Sequence, residues 1–267
     1  MLVLTALLAA AVAVTPSPEY DAAHTKAVKL EQAQVSCMKA AGLEYRPLDI
    51  EKATRSAADR KALNGDYAAM RAKRATEGFG VWSELVHPER DEDKDHPNNA
   101  VVMSLPEKQH KAYQTALDTC FSSSAKTVLG KDVRSLDDYY EQLDSAYDTL
   151  AGTELDGAAN LVKLGKSFAT CLKVDPAKPT RLAERGRRFF LDERTKVARG
   201  QGVSAPAEAT SVRPAMTPAQ AKPYLDKEIK AALQDLSCGK DFYAAYAPKA
   251  WKLQQQVYAD YGVPFAW

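Results

Sequence analysis

Four cysteines constrain this chain more than anything else in it. Cys37, Cys120, Cys171 and Cys238 are its only cysteines in 267 residues. Each lies on or beside an amphipathic helical stretch. The first, Ser36-Cys37-Met38-Lys39, has a near-copy in Thr170-Cys171-Leu172-Lys173, and Leu30 and Leu164 stand at matching places upstream. A fold for this chain must therefore place four thiols on apolar helix faces and give each a partner or a chemistry.

The amino-terminal end indicates which. Met1 to Val14 hold no charged side chain, and Leu2 to Val14 are nearly all apolar. The run falls short of the roughly 20 residues that cross a bilayer, and it matches the h-region of a secretory signal peptide. Ala11-Val12-Ala13 supplies the small-x-small cleavage pattern, so residues 1–13 read as signal and the mature chain begins near Val14. The basic n-region is absent; either the true start lies upstream or the free amino terminus supplies the charge. No cysteine stands at the cleavage point, so a lipid anchor is not indicated. Export puts the thiols in an oxidising compartment, where pairing is the rule. Four cysteines allow three connectivities, which spacing alone does not resolve.

Helical signals run the whole length. Ser17-Pro18 reads as an N-cap followed by proline at the first helical position. Tyr20, Ala23, Ala27, Leu30, Gln34, Cys37 and Ala41 then make one face, broken only by Gln34, with Gly42 as the stop. A second helix is predicted over 50–77, interrupted at Gly65 and ended by Gly78-Phe79-Gly80. Residues 79–104 read as a long irregular segment, of a length that in compact domains is often functional or disordered. Ser104 with Glu107 predicts a capping box for a helix carrying Tyr113, Leu117, Cys120, Ser124 and Val128, ended by Gly130. Ser135 and Asp138 start another, with Tyr139, Leu143, Tyr147 and Leu150 on its face. Gly152 and Gly157 mark a break.

Beyond the break, Leu161, Leu164, Phe168 and Cys171 share a helix stopped by Asp175-Pro176. Residues 178–199 form a basic helix, 200–216 a Gly/Ser/Ala/Pro loop, and Thr217-Pro218 with Gln220 a second capping box. The helix after it buries Leu225, Ile229, Leu233 and Leu236 and carries Cys238 near its end. Pro248 is expected to begin a final helix within the aromatic carboxy-terminal run. No stretch alternates as a strand does. Each half thus runs helix with cysteine, middle helix, loop, helix with cysteine. That parallel divides the mature chain into 14–152 and 153–267 and favours Cys37–Cys120 and Cys171–Cys238. In the chain-entropy account, closing such loops stabilises a fold by about 4–5 kcal/mol each.

Several short segments together carry a likeness. Cys37-Met38-Lys39-Ala40-Ala41-Gly42-Leu43-Glu44-Tyr45, Gly78-Phe79-Gly80, Asp95-His96-Pro97-Asn98, Ser104-Leu105-Pro106-Glu107 and Ala116-Leu117-Asp118-Thr119-Cys120 follow one another along the mature chain. In this the chain resembles a group of uncharacterised actinobacterial secreted or envelope-attached proteins. The resemblance implies export and paired cysteines and supplies no catalytic residue.

The candidate chemistry is sparse. Asp91, Asp93 and Asp95 have the first spacings of a calcium loop, but His96 stands where glycine is needed and Val102 where the bidentate glutamate belongs. The segment then reads as a solvated charged loop. His87 and His96 lack tight metal-ligand spacing. There is no Gly-x-Ser-x-Gly, no His-Glu-x-x-His and no phosphate-binding glycine loop, so no cofactor is expected and an enzyme is not favoured. Paired carboxylates can hide among 35 acidic residues. The 36 basic residues nearly balance them, which gives no global pull toward nucleic acid. Locally the basic helix has an excess, and Arg181, Arg185 and Arg188 are its candidates for an anionic partner. Phe265 and Trp267 are expected to cover the protein's own core.

The sequence therefore predicts an all-α protein of two similar helical halves, each closed by one disulfide, secreted or held at the cell envelope. Its expected role is binding: another envelope or extracellular protein, or an anionic wall polymer. The alternatives are an envelope hydrolase using paired carboxylates in the cleft between halves, and a calcium-dependent module built on residues 91–99.

Overall fold

The structure is a computed structural model, and it describes residues 17–52, 54–88, 97–204 and 211–265. The apolar run at 1–13, the acidic residues Asp91, Asp93 and Asp95, His96 and Trp267 lie outside the described residues. Among those described, eleven α-helices are present and no strand.

The first helix, α1 (Pro18–Ala40), begins where Ser17 accepts a hydrogen bond from the Tyr20 amide at 3.2 Å. It buries Tyr20, Ala23, Ala27, Gln34 and Met38. Gln34, the polar break in that face, donates its amide N–H to the Leu117 carbonyl on α6 (Glu107–Leu129). Cys37 and Cys120 join these two helices with Cα atoms 5.5 Å apart. Met38, Val101, Tyr113 and Cys120 pack around that bridge.

The helix predicted over 50–77 starts later than expected. It comprises α2 (Ala57–Leu63), capped by Ser56, and α3 (Tyr67–Glu77), capped by Asp66. Two side-chain caps so close in sequence force two starts, with the Asn64-Gly65 turn between them. The described residues of 79–104, expected to be irregular, include two helices, α4 (Ser83–Val86) and α5 (Pro97–Ser104). Ser104 is therefore the last residue of α5, its hydroxyl donating to the Val101 carbonyl, and the capping box with Glu107 does not form. Pro106 occupies the N-cap of α6 instead.

Ser135 caps α7 (Leu136–Ala151) as expected, and a π-helical turn (Gly152–Asp156) leads into α8 (Ala159–Leu172). Asp156 on that turn accepts from the amide and the hydroxyl of Thr180, fixing the start of α9 (Pro179–Gly200). Thr217 and Gln220 form the full capping box of α10 (Pro218–Cys238). Cys171 and Cys238 join α8 to α10. Both expected disulfides are thus present, closing spans of 83 and 67 residues.

The last helix, α11 (Lys240–Tyr261), runs straight through Pro248 rather than starting there. The proline has no amide for the Ala244 carbonyl, and the Gly65 turn packs on the backbone of Tyr243 and Ala244 just there. Packing on α1, α7 and α8 holds α11 continuous against that lost bond. Phe265 folds back beyond it onto Tyr20, with ring centroids 5.5 Å apart. Chain order and packing order also differ. α3 and α4, from before Gly152, pack on α10, while α11 packs back on α1 and α7.

Candidate ligand-binding cleft

The site begins with a buried carboxylate. Glu228 on α10 has no solvent exposure. Its two oxygens accept from the backbone N–H groups of Phe79 (2.7 Å), Val81 (2.9 Å) and Trp82 (2.8 Å). These amides belong to the turn between α3 and α4, which has no helical partner for them. Gly78 enters the turn at φ +64°, and a Cβ there would stand 2.7 Å from the Glu228 side chain. Only glycine lets this backbone close on the carboxylate. Burial raises the Glu228 carboxyl above the usual carboxylate range, against the pull of the three amides and of Arg194.

Arg194 on α9 completes the anchor. It is 5% exposed and donates to the Val81 carbonyl (2.8 Å), to Glu84 (2.7 Å) and to the Ser211 hydroxyl. The turn is thus gripped from α9 and α10 at once, and the Phe79 ring is laid over Gly186 of α9. A Cβ at Gly186 would stand 2.1 Å from that ring, so the close approach depends on glycine.

A second buried group stands beside it. Arg74 of α3 donates to the Ala232 carbonyl at 2.9 Å and to Asp235 of α10. The Tyr243 hydroxyl donates to the same carboxylate at 2.8 Å, and the Arg74 guanidinium lies 4.5 Å from the Tyr243 ring centroid. Burial pushes the Asp235 carboxyl up, opposed by Arg74 and the tyrosine hydroxyl, and it pushes the Tyr243 phenol up as well. A guanidinium, a phenol and a carboxylate in this arrangement satisfy one another.

These two anchors frame a cleft of about 520 Å³ between α2–α3 on one side and α9 and α11 on the other, with Tyr147 reaching in from α7. That volume lies within the roughly 300–1,000 Å³ of small-molecule sites. Phe79, Tyr147, Tyr243, Tyr246 and Trp251 give it aromatic walls, with Met70, Ala247 and Ala250 between them. Burial raises the phenols of Tyr147 and Tyr246, and the nearby Glu184 carboxylate adds to this.

Charge is confined to defined places. Lys73 donates to Asp59 at 3.1 Å and to Glu77 at 3.0 Å. The Ser56 hydroxyl and then Lys73 hold the Asp59 carboxyl below the usual range. The structure therefore does bring carboxylates into the cleft. Two of them share one lysine, however, and Asp59 is poised as a stable anion, unlike a general acid, which needs a raised pKa. The Arg55 guanidinium lies over Trp251 at 5.3 Å from the ring centroid. Arg187, exposed at the cleft edge, makes no ion pair among the described residues.

The residues singled out from sequence fall elsewhere. The four cysteines are in disulfides. Arg181, Arg185 and Arg188 are exposed on α9, away from the cleft lining. His24 and His110 bond backbone carbonyls of Ile50 and Leu105, and His87 ends α4. Among the described residues no three His, Cys, Asp or Glu side chains gather as a metal site would require. No helix among them is long and apolar enough to cross a membrane.

Glu228, Asp235 and Arg194 were not picked out from the sequence. A signal for the first two exists: Ala221, Leu225, Glu228, Ala232 and Asp235 follow one another at helical steps of three and four on α10. An acid inside such a stripe calls for a buried partner. No family model, curated protein or solved structure matches this chain.

Proposed function

We propose that this is an exported binding protein that takes a small molecule with an apolar, ring-bearing body into the cleft between α2–α3 and α9–α11. One observation carries the reading. Aromatic walls surround a volume of ligand size, and the turn that supplies Phe79 is locked by a buried carboxylate instead of being left to move. Preformed apolar sites with a few placed polar groups are the common pattern for small ligands. Preorganising the walls also lowers the ordering cost of binding. Arg187 at the edge gives the ligand a charged contact.

The address rests on other features. Two disulfides bridge the fold, and both fit an oxidising compartment. The apolar run at the amino terminus adds to this. Sequencing the mature amino terminus of protein recovered from the native culture tests export directly: the reading predicts a start near Val14, and an intact Met1 would contradict it.

The cleft is tested with 8-anilinonaphthalene-1-sulfonate, an aromatic anion. Wild-type protein is expected to bind one equivalent saturably while fully folded. Ala250→Phe, which fills the cleft, is expected to weaken binding by about tenfold or more. Trp251→Phe is expected to remove most of the ligand-sensitive tryptophan emission, because Trp251 lines the cleft and Trp82 is fully buried outside it. Equal binding by Ala250→Phe, or no saturable binding at all, would count against the cleft as a site.

A further inference from the structure

We infer that the ligand of the cleft carries a protonated amine on its ring-bearing body, and that this amine seats at Glu184 beside the hydroxyls of Tyr147 and Tyr246. This deepens the small-molecule reading and rests on it. Three acids line the cleft, and the protein itself answers two of them: Asp59 and Glu77 share Lys73. Glu184 makes no hydrogen bond or ion pair among the described residues, and it does not pair with Arg187 one turn further along α9.

The ring faces divide in the same way. Guanidinium groups of the protein lie over three of the five aromatic walls. Arg55 stands 5.3 Å from the centroid of Trp251, and Arg74 stands 5.3 Å from that of Phe79 and 4.5 Å from that of Tyr243. Such faces attract cations, because the ring quadrupole is negative above its plane. Tyr147 and Tyr246 have no cation over them among the described residues, and their hydroxyls have no hydrogen-bond partner there. Tyr246 is held by stacking on Phe242, with ring centroids 5.2 Å apart.

The field at these two rings is negative. Burial raises both phenols first, and the carboxylates of Glu184 and Asp156 raise both further. Asp156 is already engaged by the amide and hydroxyl of Thr180, which leaves Glu184 for a ligand. An ammonium group brings three N–H donors, and here it meets a carboxylate and two phenol oxygens that can accept them. A neutral hydroxyl could reach the same oxygens, but it gains little from the carboxylate charge or the ring faces. Arg187 remains at the edge for an anionic group on the same ligand.

The probes are tryptamine and tryptophol, which share one indole ring and end at pH 7 in a protonated amine and a neutral hydroxyl. Each is titrated by calorimetry and as a competitor of 8-anilinonaphthalene-1-sulfonate. Wild-type protein is expected to bind tryptamine about tenfold more tightly than tryptophol. Glu184 is exposed, so Glu184→Gln is expected to fold as wild type, and it should bring the two affinities within about twofold by weakening tryptamine. Asp144→Asn removes the same charge from the exposed side of α7, outside the cleft lining, and is expected to keep the full preference. Saturable binding of the sulfonate with no preference for tryptamine in the wild type would overturn the inference and leave the cleft reading standing. So would a preference that survives Glu184→Gln, or one lost equally in Asp144→Asn. Absence of saturable sulfonate binding would remove the cleft reading itself, and this inference with it.

Discussion

The end of the molecule built on α1, α5 and α6 and the end built on α4, α9 and α10 are held together in different ways. At the first, a disulfide sits in an apolar cluster of Met38, Val101 and Tyr113. The second also has an apolar cluster, of Val81, Trp82, Leu85, Phe190 and Leu225, and a disulfide at the end of α10, but there the α3–α4 turn hangs in addition on Glu228 and Arg194, two charged groups with almost no exposure. Apolar clusters stabilise strongly but tolerate repacking, since their contacts are not directional. A buried carboxylate bonded to three amides fixes each of those amides in place, and mispairing is costly. The directional anchor stands beside the cleft and sets the Phe79 wall; the end built on α1, α5 and α6 lines no part of it.

The largest expected effect separates these two. Glu228→Ala leaves three buried amides without acceptors and should cost about 4 kcal/mol or more, on the order of a large fraction of a domain's stability. Glu228→Gln keeps the shape and loses part of the bonding, for about 2 kcal/mol. Urea unfolding checks both, with an unchanged slope showing that the unfolded state is the same. Replacing Cys37 and Cys120 together by serine should cost about 3–4 kcal/mol by the same measurement, through the unfolded chain. It should leave the emission of Trp82 as it is.

A smaller change acts on the cleft itself. Gly186→Ala drives a methyl group into the Phe79 ring, which must swing away from α9. The expected cost is about 1–3 kcal/mol, with a drop in affinity for the aromatic probe. The smallest effect belongs to the exposed bridge of Lys73 with Asp59 and Glu77. Lys73→Met should cost under about 1 kcal/mol. Because the Asp59 carboxyl is held below its ordinary value, the part due to it is present above the unfolded carboxylate pKa. It disappears as pH falls through the lowered folded value, so the penalty measured at pH 7 should fade only once the pH has fallen below the ordinary carboxylate range.

What was legible in the sequence was local. Ser17, Ser135 and Thr217 cap helices with their own side chains, and the signal for that lies within four residues. The order of the cysteine-bearing helices along the chain favoured the pairing that is present, Cys37–Cys120 and Cys171–Cys238. Ser104 carried the same local signal and misled, since Pro106 takes the cap and the serine closes the helix before it. Pro248 misled for the opposite reason: packing on three neighbouring helices keeps α11 continuous past a residue that breaks isolated helices. The cleft was not legible at all. Its walls come from five helices and the α3–α4 turn, and Glu228 meets Phe79 across most of the chain. Only the position of Glu228 and Asp235 on the apolar face of α10 hinted that this helix receives partners from afar.

The most direct test compares probe binding in two variants of reduced stability, Glu228→Gln and the Cys37/Cys120 double serine, at a temperature where both are fully folded. With 8-anilinonaphthalene-1-sulfonate, Glu228→Gln should lose affinity by about tenfold while the double serine variant binds as wild type. Equal affinity in both, or a loss confined to the double serine variant, would contradict the claim that the buried carboxylate shapes a binding site.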